Sequence, residues 1–411
     1  MGRIKFIVFV TVLAMLAGCG SSSSPGVKST LAPITVSSPN VQQVIVGAGP
    51  TNDYSNGIFT SVTVCIPGSA TSCQTIDGLL VDTGSSGLRI LSSAVNGELT
   101  LNLPQSNNPD GNSVAECSQY VDLTYTWGAV RIADVKIAGE TASSVPINIL
   151  GDADFPTVPG SCSNTGGVNN NSPQTLGANG ILGVGVFQQD CGDACASGVG
   201  PPPPASYYEC PSPASCQPAF VSVSQQVRNP VVSFTTDNNG VILELPPVPA
   251  ASVSASGSLV FGIGTQPNNG LGSAMIFPVN AFGNFSYPVV YNNRSFSGGF
   301  IDSGSNAIYF SDYAGIPVCT DYPGFYCPPS TQALSAVNQG ANNAISTVTF
   351  NVGNADQLFI NPNDAVFGTL AGTNPDTQGF DWGLPFFFGR DVYVGIQDKS
   401  SPGGLGPYWA Y

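Results

Sequence analysis

Histidine is absent from the 411-residue sequence. That one absence excludes Ser-His-Asp and Cys-His catalysis, imidazole metal ligation and histidine general bases, so proton transfer must fall to carboxylates, Tyr, Lys or bound water. Charge is scarce as well, at 9% of residues, and it is lopsided: ten Lys and Arg face 25 Asp and Glu, a formal net charge of −15. A surface of that sign repels phosphates, and no basic cluster offsets it, so nucleic acid is not an expected partner. It is compatible with an acidic working environment, where self-repulsion is weaker. Also missing is any long stretch with apolar residues at helical spacing.

In place of helical patterns, short Val/Ile/Phe/Thr runs recur between turn residues, with 49 Gly and 34 Pro along the chain. Such punctuation predicts an all-β protein, long enough for two medium domains or one large bilobed one. The start, MGRIKFIVFVTVLAMLAGCG, has basic Arg3 and Lys5, an apolar stretch from Phe6 to Leu16 and small residues before Cys19. It reads as an export signal, too short for a stable membrane span. Leu16-Ala17-Gly18-Cys19 resembles the bacterial lipobox, which implies acylation of Cys19, a flexible serine tether behind it and a lipoprotein of the cell envelope. Gly20 after that cysteine favours the outer membrane in a Gram-negative cell. Ten cysteines remain, an even number in an exported chain. Close spacing suggests Cys65 with Cys73, Cys191 with Cys195, Cys210 with Cys216 and Cys319 with Cys327, leaving Cys117 and Cys162 for a longer bridge. Metal binding by the four thiols of 191–216 is the rival reading.

Two segments carry the chemistry. LLVDTGSSGLRI (79–90) ends an apolar run on Asp82, and GGFIDSGSNAIYF (298–310) does the same on Asp302. A carboxylate at the end of a buried strand is costly unless it is hydrogen-bonded or used. Either tripeptide alone is a common turn; as a pair they suggest equivalent places in two similar halves. Gly84 and Gly304 would let the backbones approach closely. Two carboxyl groups held together share a proton, so one can act as base on a common water while the other donates to a substrate carbonyl. Thr83 and Ser303 supply hydroxyls able to bond across the junction, and Ser85, Ser86 and Ser305 others that orient the acids.

These loops resemble those of the pepsin-like aspartic peptidases, two β-lobes around a long cleft, and further segments follow in that family's order from about residue 45 to 411. SQYVDLTYTWGAVRIADVKIAG (118–139) is similar to the strand–flap–strand segment, with Tyr125 at the flap tyrosine; Tyr125 and Trp127 share a strand face and are expected over the cleft, or else in the core. ANGILGVGVF (178–187) resembles the element behind the first acid loop, VSFTTDNNGVILEL with SLVFGIG the opening hairpins of the second lobe, and WGLPFFFGRDVYVGI (382–396) the last strand, helix and closing strand. Arg89 stands where the family usually has a tryptophan; within about 6 Å of the acids its guanidinium would favour their ionised forms. Gly383-Leu384-Pro385 reads as a displaced version of the second lobe's usual Leu-Gly. The Val-Asp-Thr-Gly-Ser-Ser-Gly-Leu-Arg run also resembles a signature of bacterial lipoproteins of uncharacterised function.

The resemblance implies a leader (1–18), a lipidated tether (19–40), an N-terminal lobe (41–228) and a C-terminal lobe (229–411). It implies an aspartic-type endopeptidase without cofactor or metal, acting on an extended peptide or protein, with a peptide-binding relic as the alternative. A monomer touching the membrane only through its lipid is expected. GVGPPPPASYYECPSPASC (198–216) has no counterpart in the family and reads as a disulfide-braced surface excursion.

Overall fold

The computed structural model describes residues 38–411 apart from 96–97, 121, 197–205, 249–250 and 313–314. The leader, Cys19, most of the tether and the proline run at 201–204 lie outside the described residues. The described chain is all-β, with 44% strand and 7% helix. Its helices are single turns such as Pro173–Leu176, capped by the Ser172 hydroxyl and closed by Gly177 at φ +72°. No helix among the described residues is long and apolar enough to cross a membrane.

A 15-stranded sheet forms the body of the molecule. Strand Gly57–Cys65 shows why these runs fold as they do: Ile58, Val62 and Val64 are buried while Ser61 and Thr63 are more open, the two-residue alternation of a sheet with one wetter face. It pairs antiparallel with Cys73–Asp82, and the facing Cys65 and Cys73 are joined at the mouth of that hairpin. Near the middle of the sheet lies Val41–Gly47, with Gly57–Cys65 on one side and Ala255–Phe261 on the other. The first strand thereby stitches early chain to late chain. A hydrophobic cluster containing Val81, Leu182, Ile301 and Trp382 runs beneath both acid loops.

Five disulfides join Cys65 to Cys73, Cys117 to Cys162, Cys191 to Cys195, Cys210 to Cys216 and Cys319 to Cys327. This is the pairing that spacing suggested. The four thiols of 191–216 are bonded two by two, which overturns their reading as a metal set. The described part of the proline-rich excursion forms a hairpin, Tyr207–Ser212 with Ser215–Pro218, which pairs with Ser113–Gln119 and makes that end of the large sheet. One expected helix shrinks: after Trp382 the chain makes only a 3-10 turn, Leu384–Phe386, because Pro385 starts it and Gly389 at φ +75° turns it away.

Candidate active site

Each acid ends a strand of the same design. Cys73–Asp82 runs parallel to Gly180–Val184, with Asp82 opposite Gly183, and after the turn Ser86–Leu91 returns antiparallel on that strand's other side. Gly298–Ile301 runs parallel to Gly379–Trp382, and Ile308–Phe310 returns antiparallel to it. Apolar Leu79-Leu80-Val81 and Phe300-Ile301 drive the two acid strands into the core, and Thr-Gly-Ser-Ser and Ser-Gly-Ser-Asn turn the chain sharply back. Gly383 follows directly on the Ile301–Trp382 pair, at the place across from Asp302 that Gly183 takes across from Asp82. A Cβ on Gly183 would sit 2.8 Å from the Gly87 carbonyl oxygen, and one on Gly383 2.0 Å from that of Ala307. The glycine read as displaced is therefore in register, and a side chain there would strike the returning strand.

The loops are locked by exchange. Thr83 N–H donates to Ser303 Oγ at 3.1 Å, and Ser303 N–H donates to Thr83 Oγ1 at 2.9 Å. Ser303 Oγ then donates to the Val81 carbonyl at 2.8 Å, and Thr83 Oγ1 reaches the Ile301 carbonyl at 3.5 Å. Asp82 and Asp302 are each 1% exposed. Gly84 N–H is shared between them, 2.8 Å from Asp82 Oδ1 and 3.1 Å from Asp302 Oδ1. Gly304 N–H donates to Asp302 Oδ1 at 2.8 Å. Ser85 Oγ donates to Asp82 Oδ2 at 2.5 Å and Ser305 Oγ to Asp302 Oδ2 at 3.0 Å. The glycines are obligatory: a Cβ on Gly84 would lie 2.5 Å from Asp302 Cγ, and one on Gly304 2.7 Å from Asp82 Oδ1. Two buried carboxylates thus meet within reach of one N–H, each outer oxygen held by a serine. Such a pair can divide one proton and present it to a bound molecule.

Trp127 is corrected. It is 1% exposed, donates its indole N–H to the Phe155 carbonyl at 3.0 Å and meets Tyr208 edge-on at 5.1 Å. Tyr125, on the same strand face, is half-buried against the same cluster, which contains the bridged Cys117 and Cys162. Both side chains pack in that satellite core, where Phe155 and Tyr208 cover their face. The opposite face carries Thr126, whose Oγ1 lies 3.0 Å from the Tyr120 hydroxyl. Tyr120, just before the hairpin turn, lines the pocket that also holds Thr83, Gly84 and Ser85. It is the hairpin's pocket-side tyrosine, and its signal was the alternate spacing Ser118, Tyr120 on the strand's other face.

Tyr54 is a second residue missed. It is buried, and its phenol pKa is pushed up, first by burial and then by the charges of Asp302 and Asp82, which stand close by. No local pattern marks it. Arg89 does not engage the acid pair. It is 2% exposed, and its guanidinium donates to Glu116 Oε1 at 2.5 Å, Asp190 Oδ2 at 3.1 Å and the Ser86 carbonyl at 3.1 Å. Burial opposes its charge, but Glu116 and Asp190 outweigh burial and raise its pKa further. Cys319, Cys327 and Asp356 bring three possible metal-binding atoms together, but the two thiols are joined to each other.

Residues 36–411 match the family described as "Protein of unknown function (DUF3443)", and the chain belongs to that family. Comparison with curated proteins gives no match.

Proposed function

We propose that the protein is an aspartic-type endopeptidase in which Asp82 and Asp302 share one proton and activate one water. The observation that carries this reading is the single Gly84 N–H bonded to both carboxylates, between loops that exchange Thr83 and Ser303 hydrogen bonds. The ionised acid takes a proton from water as its oxygen attacks the peptide carbonyl carbon. The protonated acid gives its proton to the carbonyl oxygen. The resulting tetrahedral diol collapses as a carboxyl group re-forms and the amine leaves with a proton. Ser85 and Ser305 hold the outer oxygens, so neither carboxylate need rotate during the cycle.

The repeated strand–turn–strand design around each acid supports a two-lobed, pepsin-like arrangement, residues 41–228 and 229–411, with an extended peptide bound between them. The protein is an exported lipoprotein anchored through Cys19; the five disulfides support an oxidising compartment.

The test is hydrolysis of a diverse peptide set by the full chain from pH 3 to 7, with and without pepstatin. Asp82→Asn and Asp302→Asn should each lower turnover at least ~1,000-fold, the scale of general acid–base catalysis, while both remain folded. Turnover that persists in either variant would sink the dyad, and a wild type that binds peptides without cutting them would make the protein a binding module.

A further inference from the structure

Beside the Asp82 loop is a pocket of about 330 Å3, lined by Thr83, Gly84, Ser85, Phe187, Asp190 and Phe282 among others. Its charges do not balance. Arg89 is the one cationic side chain in its lining, and it is already engaged by the carboxylates of Glu116 and Asp190. One guanidinium serves two buried acids, and the exposed Asp193 lines the same pocket.

Nor are the hydrogen bonds complete. Glu116 Oε1 accepts from Arg89 and, at 2.8 Å, from Ser118 Oγ, whereas Glu116 Oε2 is buried with no donor. Asp190 Oδ1 accepts from the Tyr207 hydroxyl at 2.6 Å and Oδ2 from Arg89. The two carboxyl groups also lie close enough to bond through a shared proton. Burial, and then Glu116, hold the Asp190 carboxyl well above the usual carboxylate range against the pull of Arg89 and Tyr207. With both acids ionised, Arg89 leaves one negative charge unbalanced, and a proton held between them removes it.

We propose that this pocket is the subsite for a cationic side chain of the bound peptide, lysine or arginine, whose charged end meets Asp190 with Glu116 behind it. The subsite rests on the peptidase reading for its peptide, and on the pocket alone for its preference. An ammonium or guanidinium at Asp190 supplies a second positive charge, which lets both acids ionise, and donates to the carboxylate. A neutral chain of equal length supplies neither, and a carboxylate is repelled. Phe187 and the 75%-exposed Phe282 offer apolar surface to the methylene stem.

A cation that docks here displaces the proton shared by the acids, so its affinity depends on pH. The groups facing Asp190 are Arg89 on Ser86–Leu91, Glu116 on Ser113–Gln119 and Tyr207 on Tyr207–Ser212. Below the raised Asp190 pKa, affinity for a lysine peptide falls by up to about tenfold per pH unit.

The experiment measures binding to the full chain carrying Asp302→Asn, so that bound peptide is not cut. Peptides identical except for Lys, Arg, norleucine or Glu, placed at each position in turn, are titrated calorimetrically at pH 5 and pH 7. Expected at one position is at least tenfold tighter binding of Lys and Arg than of norleucine, with Glu weakest and the gap narrower at pH 5. Adding Asp190→Asn should shrink the gap below threefold. Asp193→Lys, a change at an exposed position, should narrow it without disturbing the buried cluster. Equal affinity for Lys and norleucine at every position, complete lack of binding included, overturns the subsite. So does a preference untouched in both variants. Lysine preference in binding, with no cleavage of any peptide by the wild type, overturns the peptidase reading and leaves the subsite standing.

Discussion

Gly84 carries a double constraint: its N–H touches both acids, and the space beside its Cα is filled by the Asp302 carboxyl group. Gly84→Ala must push Asp302 aside, and a misplacement near 1 Å costs on the order of 100-fold in rate. The expected outcome is a folded protein with kcat reduced about 100-fold, and Gly304→Ala should behave alike because its Cβ would strike Asp82. An unchanged kcat in both would mean that the acids do not need this geometry. These glycines could be picked out in the sequence because each follows an acid by two positions at the end of an apolar run. Arg89 could be noticed but not interpreted: its partners Glu116 and Asp190 are 27 and 101 positions away, so only folding brings them to it. Tyr54 gave no sign at all, since its nearness to the acids arises wholly from tertiary packing.

At the scale of elements, the hairpin of Ser113–Gln119 and Tyr125–Ile137 explains where pattern reading stopped. Two-residue alternation assigns side chains to faces only when one face is wet, and here Thr126 through Val130 are buried on both. Tyr125 and Trp127 could then be grouped together but not given a side. The cover is supplied from elsewhere in the chain by Phe155 and Tyr208 and by the bridge from Cys117 to Cys162. That bridge spans 45 positions, against eight for Cys65 to Cys73. Loop-closure entropy makes it worth about 4 kcal/mol, against about 2.5 kcal/mol for the shorter one. The double variant Cys117→Ala with Cys162→Ala should therefore lower the melting temperature more than Cys65→Ala with Cys73→Ala. Scanning calorimetry decides it, and the reverse order would show that the satellite core holds without its bridge. Strand–turn–strand units around each acid were legible because their apolar runs are short and sharply punctuated. The sheet order was not, because it depends on pairings between distant segments such as Val41 with Val260.

For the whole molecule, the formal charge of −15 and the lack of histidine govern the response to pH. Asp190, Glu140 and Glu244 all have raised pKa values, burial being the first cause in each, followed by a neighbouring acid: Glu116, Asp237 and Asp391 respectively. A carboxyl raised on folding binds its proton more tightly in the native state. Its contribution is fully present below the unfolded-state pKa, near 4, and is lost as pH rises through the folded-state value. General repulsion among the acids grows in the same direction. The melting temperature at low ionic strength should thus be roughly 2–6 °C higher at pH 5 than at pH 8, taking a few degrees per kcal/mol. Added salt should narrow the difference by screening the surface charges. A flat profile, or one rising toward pH 8, would contradict this account.

The seating of Val41–Gly47 between Gly57–Cys65 and Ala255–Phe261 also sets a timetable. As the chain is made from its N-terminus, this strand appears early while its second neighbour does not exist until more than half of the chain has followed. Until then a row of backbone donors and acceptors stands open, and it must be kept from pairing with the wrong strand. The acid loops wait longer still, because Asp82 gains its counterpart only once Asp302 and Ser305 have emerged. A half-made chain has the first loop and nothing to set against it, so the two-acid site cannot form until about three-quarters of the chain has been made.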